Sequence, residues 1–253
     1  MQFDLLHDYS KGEDVTIALI DSGISEFQKE DVKKNVILAE DSTEYDSNGH
    51  GTMMMSLLCG YKNSVPGIAQ NATVYSYKVV GKSGKIHGDV LADAINMAHT
   101  DCVDIINISL GSYLENDEVL AALKTAWQDG IIIVASAGDY GANDMLFPAN
   151  CDYVISVGAS DNSGGVWEYT NTYSNCDILA PGVSILTIDN TEKTYYSSGT
   201  SQATALISGY IALLISYGKE HDIKLTYQDI CEKLHRINSG ESTYLIELDN
   251  VAK

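Results

Sequence analysis

Positive charge is scarce in this sequence. Only 15 Lys and Arg stand against 35 Asp and Glu, a formal net charge of −20, and the isoelectric point is near 4.4. So acidic a chain repels polyanions. That argues against nucleic acid and against a membrane as partners, and it favours solubility or a cationic ligand. Cysteine is also sparse. The five thiols (Cys59, Cys102, Cys151, Cys176, Cys231) are odd in number, dispersed and never spaced CxxC. They read as free thiols in a reducing compartment rather than a disulfide framework. No long apolar run occurs: "VTIALI" is strand-sized, far short of the roughly 20 residues that a membrane span needs. No basic region followed by an apolar stretch marks a signal peptide, so a cytoplasmic location is the expectation. The histidines show no HExxH or Cys-pair spacing, which argues against a zinc site. "VVGKSGKIHG" has the look of a phosphate loop, but that pattern needs Gly five residues before Gly81, where Ser76 stands.

What the chain does contain is 253 residues, 45% of them apolar, enough to bury a substantial core. No linker, low-complexity tract or short repeat interrupts it. Strand-like and helix-like segments alternate: "VTIALI" ends at Asp21, and "NATVYSYKVV" is followed by "GDVLADAINMAHT", with Val90, Leu91, Ala94, Ile95 and Ala98 at helical spacing. Then come "VDIINISLG" as strand, "NDEVLAALKTAWQDG" as helix stopped by Gly130, and "IIIVASAG" and "DYVISVGA" as strands. Continuous Val/Ile strands alternating with helices indicate an α/β fold, a doubly wound, mostly parallel sheet with helices on both faces. One domain over residues 1–253 is the economical reading.

In such sheets, ligands and catalytic groups collect at the carboxyl ends of the strands. Asp21 closes "IALID", Ser109 closes "DIINIS", and Asp139 follows "IIIVASAG". His50 lies among glycines in "SNGHGTMMMSLL", before an apolar run, and Ser201 opens the helix-like run in "SSGTSQATALISGYIALL". Each alone has an ordinary explanation, as turn former, loop residue or helix cap. Together they supply a hydroxyl, an imidazole to take its proton and a carboxylate to fix the imidazole's tautomer. Their order, Asp…His…Ser, is one of the known triad orders.

"IALIDSGI", "NGHGT" and "SSGTSQATA" resemble the three signature blocks of the subtilisin-like serine proteases, the subtilases. "NISLGS" and "VASAGDYG" resemble two of that family's substrate-site blocks, and all occur in the family's order over about residues 13 to 217. The resemblance implies a subtilisin-like fold and a serine endopeptidase acting on a peptide or protein, with Asp21, His50 and Ser201 as triad. It implies a substrate-binding strand at Ser109, Leu110 and Gly111, with Ala137, Gly138 and Leu146 at the specificity pocket. Gly84, in the stretch Ser83 to Ile86, falls at the other edge of the cleft. Leu146 stands where many relatives have Gly, so small or medium side chains are expected in the pocket. The family's oxyanion hole is implied at Asp139, Thr200 and Ser201.

The chain departs from the family pattern. Gln202 and Ala205 replace a usual Met and Pro after the nucleophile, and Asp139 replaces an Asn whose amide donates to the oxyanion. With Asp139 buried and its pKa raised, protonation would restore that donor. No cofactor is required, and calcium stays open, although the loop at "GYKNSVPGIA" is short for the family's calcium site. Only 20 residues precede Asp21, too few for the N-terminal chaperone domain of many subtilases, so no propeptide is visible in this sequence. Limited processing of a precursor is the expected role. The alternative is a catalytically weak pseudoprotease that binds peptides as a scaffold or regulator.

Overall fold

Strands that run apolar at every position have to be covered on both faces, and that requirement organises this molecule. The computed structural model describes residues 3–40, 43–171 and 176–251. In chain order the elements are α1 (Phe3–Leu6), β1 (Thr16–Asp21), β2 (Lys34–Ile37), α2 (His50–Cys59), β3 (Thr73–Lys78), α3 (Gly88–Thr100), β4 (Ile105–Ile108) and α4 (Asp117–Gln128). There follow β5 (Ile132–Ser136), β6 (Ile155–Ser160), β7 (Ile178–Pro181), β8 (Ile185–Ile188), β9 (Thr194–Ser197), α5 (Thr200–Glu220), α6 (Tyr227–Asn238) and α7 (Tyr244–Asp249). Seven strands form one sheet in the order β2-β3-β1-β4-β5-β6-β7, and neighbouring strands in it pair in parallel throughout. β8 and β9 form a separate antiparallel hairpin.

Strand alternation divides the core in two. Ile17, Leu19, Ile105, Ile132 and Val134 face α2 and the long helix α5, whose Leu206, Tyr210 and Ile211 are buried against them. Ala18, Ile20, Ile106, Ile108, Ile133 and Ala135 face α3 and α4, where Leu91, Ile95 and Leu123 pack. Each fully buried Ile or Leu contributes about 1.5–3 kcal/mol relative to exposure, so slipping any central strand by one residue would be costly. One polar residue breaks the apolar run of β4. Asn107 is fully buried; its Oδ1 accepts from the Ser208 hydroxyl of α5 at 2.9 Å, and its Nδ2 donates to Ser109 Oγ at 3.1 Å. These bonds tie α5 to the end of β4.

Strand order reverses between β1 and β4, since β3 and β2 lie on one side of β1 and β4 to β7 on the other. A crevice opens at such a switch point, outside the carboxyl ends of the strands. Asp21 ends β1 there, and Ser109 follows β4.

Candidate active site

Asp21 is fully buried. Its Oδ1 accepts from the Ser22 backbone N–H at 2.6 Å. The two carboxylate oxygens lie 2.8 and 3.0 Å from His50 Nδ1. A carboxylate only accepts, so Nδ1 carries the hydrogen and Nε2 is left with its lone pair toward the cleft.

The loop before α2 brings His50 to this position. Gly51 is pressed onto the turn after β1: a Cβ there would stand 2.1 Å from the Gly23 carbonyl oxygen, which only glycine avoids. The Gly51 N–H donates to Ser22 Oγ at 2.9 Å. Asp46, buried beneath the loop, accepts from the N–H groups of Asn48, Gly49 and Thr52 and from the Thr52 hydroxyl, all within 3.0 Å. It satisfies donors that a helix start leaves free. The sequence reading missed Asp46, and its position four residues before the histidine was the available signal.

His50 is half-buried, its side chain 27% exposed. Burial works against the imidazolium, but the surrounding carboxylates outweigh it. Asp21 acts through charge and hydrogen bond, then Asp46 and Asp139 through charge, and the net effect holds the His50 pKa above its ordinary value.

Ser201 is the second residue of α5, so its backbone N–H lies at the positive end of a long helix. Its hydroxyl donates to the Ser109 carbonyl at 3.0 Å, and the Ser109 hydroxyl donates to the Ser201 carbonyl at 3.2 Å. Ser109 and Asp21 stand at the ends of the paired strands β4 and β1, and in this structure the Ser201 hydroxyl bonds Ser109 and not His50.

Two expectations are corrected. Asp139 is exposed rather than buried in a dry cleft. Its Oδ1 accepts from the Thr200 N–H at 2.8 Å and from the Thr200 hydroxyl at 2.7 Å, because a carboxylate is drawn to the unsatisfied N–H groups of a helix start. The Thr200 hydroxyl, expected as an oxyanion donor, is buried and spends its proton on Asp139. It also accepts from the Gly138 N–H at 3.1 Å. Asn171, not singled out in the sequence, fixes the loop behind Asp139: Oδ1 accepts from Tyr140 and Ala142, and Nδ2 donates to the Asp144 carbonyl.

Leu146 sits between the segments expected to line the pocket. A Cβ on Gly111 or Gly138 would approach a Leu146 side-chain atom to 2.8 Å, and the Leu146 N–H donates to the Ala137 carbonyl at 3.0 Å. Ser109, Leu110, Gly111, Ala137, Gly138 and Leu146 are thus brought together.

Gly84 is not: it lies exposed at the tip of the turn after β3, its N–H donating to the Gly81 carbonyl at 3.1 Å. Ile86, two residues on, is the one that reaches the cleft. With Leu91, Leu110, Leu114, Val119 and Phe147 it lines an apolar pocket of about 280 Å³, and Glu115 lies on the same lining.

Among the described residues, no group of three or more His, Cys, Asp and Glu side chains converges to hold a metal ion. No helix among them is long and apolar enough to cross a membrane.

Known proteins resemble this chain in sequence and in fold. The model of the Subtilase family matches residues 12–234. A thermophilic serine proteinase of Bacillus sp. (strain AK1) is 31% identical over 251 residues, 95% of this chain, which spans 61% of that relative's length. Subtilisin DY of Bacillus licheniformis is 32% identical over 215 residues, 81% of this chain and 78% of the relative. Among solved structures, the prenylagaramide maturation protease PagA is similar in fold over 100% of this chain and 98% of its own, with a TM-score of 0.83 at 23% identity. A mutant of the protease domain of PatA matches with a TM-score of 0.79 at 27% identity, over 89% of this chain and 88% of its own.

Proposed function

Because this chain belongs to the subtilase family of serine proteases, we propose that it cleaves peptide bonds through Asp21, His50 and Ser201, in limited processing of a peptide or precursor. The observation that carries the reading is the fully buried carboxylate of Asp21 on His50 Nδ1, 2.8 Å away, beside a serine at a helix start. An extended substrate adds along Ser109–Gly111 by backbone hydrogen bonds, with its side chains in flanking pockets. Its arrival releases the Ser201 hydroxyl from the Ser109 carbonyl, and rotation about one side-chain bond turns it to His50. Such contacts commonly tighten only in the substrate complex. Ser201 Oγ then bonds to the scissile carbonyl carbon while its proton passes to His50 Nε2. His50 returns that proton to the leaving amine as the C–N bond breaks, leaving an acyl-enzyme. Water repeats the sequence, releases the acid and restores Ser201. The Ser201 N–H at the start of α5 donates to the oxygen that becomes negative.

Leu146 narrows the pocket, and a narrow pocket suits limited cleavage rather than bulk digestion. Leu146→Gly is expected to raise kcat/KM for substrates with Phe or Tyr before the cleaved bond, relative to Ala, by about 10- to 200-fold. Competition between paired peptides reads that ratio, and an unchanged ratio refutes the placement of Leu146.

The carboxylates around His50 set a pH dependence. Imidazole acts as base only when neutral, and its pKa lies above the ordinary value, so kcat/KM is expected to rise with pH through a midpoint above about 6.5. Asp139→Asn removes one of the charges that favour imidazolium. Its midpoint is expected to fall relative to the parent. A midpoint that stays or rises in that variant contradicts the assignment.

A fluorophosphonate probe tests the reading as a whole. Ser201 Oγ displaces fluoride at phosphorus and the proton goes to His50, so label mapped to Ser201 supports the protease. Folded chain that never labels, yet binds peptide, supports the scaffold alternative, which the exposed Asp139 carboxylate at the helix start favours.

A further inference from the structure

Among the described residues, Lys78 is the one buried lysine or arginine, 1% exposed at the end of β3. An ammonium is costly to take out of water unless it is bonded where it lands, so its landing place matters. Lys78 is the register partner of Asp21, and the two side chains rise from one rung of the sheet on the same face. That face is the one α2 covers: Ile17 and Leu19 on β1 and Val74 on β3, two or four residues earlier, belong to its core. The lysine stem passes beneath the turn after β1, where a Cβ on Gly23 would lie 2.9 Å from Lys78 Cδ. Its ammonium then donates to the Tyr45 carbonyl at 2.5 Å. The other side of the same peptide group is held too, since the Asp46 N–H donates to the Ile24 carbonyl at 2.7 Å.

The peptide plane between Tyr45 and Asp46 is therefore fixed at both its oxygen and its nitrogen. It carries Asp46, whose carboxylate gathers the N–H groups of Asn48, Gly49 and Thr52 around the start of α2, where His50 stands. Asp21 belongs to the rung through β1, and the loop that bears His50 is bonded to the same rung through Lys78. A shift of that loop relative to the sheet would move His50 Nδ1 off the carboxylate that orients it. We propose that Lys78 is a positioning residue for the general base: its ammonium fixes the Tyr45–Asp46 peptide and, through Asp46, sets where His50 stands relative to Asp21. It touches neither substrate nor the reacting atoms. This role rests on the protease reading above.

The test compares Lys78→Met and Lys78→Arg with a control, Leu123→Ala, by kcat and KM on one peptide, fluorophosphonate labelling and Tm. Methionine fills the path of the stem but cannot donate, and arginine restores a charged donor. Leu123 is buried on the opposite face of the sheet, against α3 and α4. All assays run below the lowest Tm of the set. Lys78→Met is expected to lower kcat by about 10²-fold with KM little changed, the scale of a misplacement of about 1 Å at a reacting group. Lys78→Arg is expected to recover most of that loss. Leu123→Ala is expected to lower Tm and leave kcat as in the parent. Parent-like kcat in Lys78→Met overturns the positioning role while the protease stands, and so does a Lys78→Arg no faster than Lys78→Met. A Leu123→Ala as slow as Lys78→Met, or a Lys78→Met chain that does not fold, assigns the ammonium to the fold alone and likewise overturns it. A parent that neither hydrolyses peptide nor labels overturns both readings.

Discussion

Ser201→Ala is expected to lower kcat by about 10⁶-fold, the scale found when the nucleophile of a subtilisin is removed. The substitution leaves the helix start, its N–H groups and the substrate-binding strand in place, so peptide binding survives. Its structural cost is one hydrogen bond, from the hydroxyl to the Ser109 carbonyl, worth about 1 kcal/mol. Adding His50→Ala to Ser201→Ala is expected to cost little more, because a general base has no proton to take once the hydroxyl is gone. Active-site titration followed by single-turnover cleavage of a labelled peptide measures both variants. Activity within tenfold of the parent in Ser201→Ala would place the nucleophile elsewhere.

The central elements were legible in the sequence because parallel strands buried on both faces leave unbroken Val/Ile runs. β1, β3 to β6, α3 and α4 follow from those runs and from helical spacing. Edge elements carry no such signal. β2 alternates half-buried and exposed residues, and β9, with Tyr195 and Tyr196 exposed, has too little apolar surface to stand out. α6 went unread although Thr226 and Asp229 form a capping box, a pattern readable from spacing alone.

The same division holds at the candidate site. Asp21, His50 and Ser201 were singled out because each sits at a strand end or helix start among glycines, in stretches that resemble the family blocks directly. Asp139 and Thr200 were placed but misjudged, since sequence does not say which way a loop carboxylate turns. The start of α5 decides that, by offering the Thr200 N–H. Asn107 was visible as a lone polar residue in an apolar strand, but its partner Ser208 is distant in sequence and only the fold joins them.

Asp21→Asn is expected to lower kcat by about 10⁴-fold with the fold intact. The Ser22 N–H donates to Asp21 Oδ1 at 2.6 Å, so an amide at this position keeps its oxygen there, 2.8 Å from His50 Nδ1, and puts its NH₂ where Oδ2 was, 3.0 Å from the same nitrogen. An NH₂ group donates, so it competes with that oxygen for Nδ1 and raises the share of the tautomer whose hydrogen is on Nε2, the nitrogen that has to accept from Ser201. A second readout separates this cause from general damage. The Asp21 carboxylate is the largest of the influences that raise the His50 pKa, and removing its charge destabilises imidazolium. The acid limb of the residual kcat/KM is therefore expected to move to lower pH even as the rate falls. A loss below about tenfold, against the 10⁴ expected for a wrong tautomer, would mean that Asp21 does not orient the base. A large loss with an unmoved acid limb would mean that its charge is not what His50 feels.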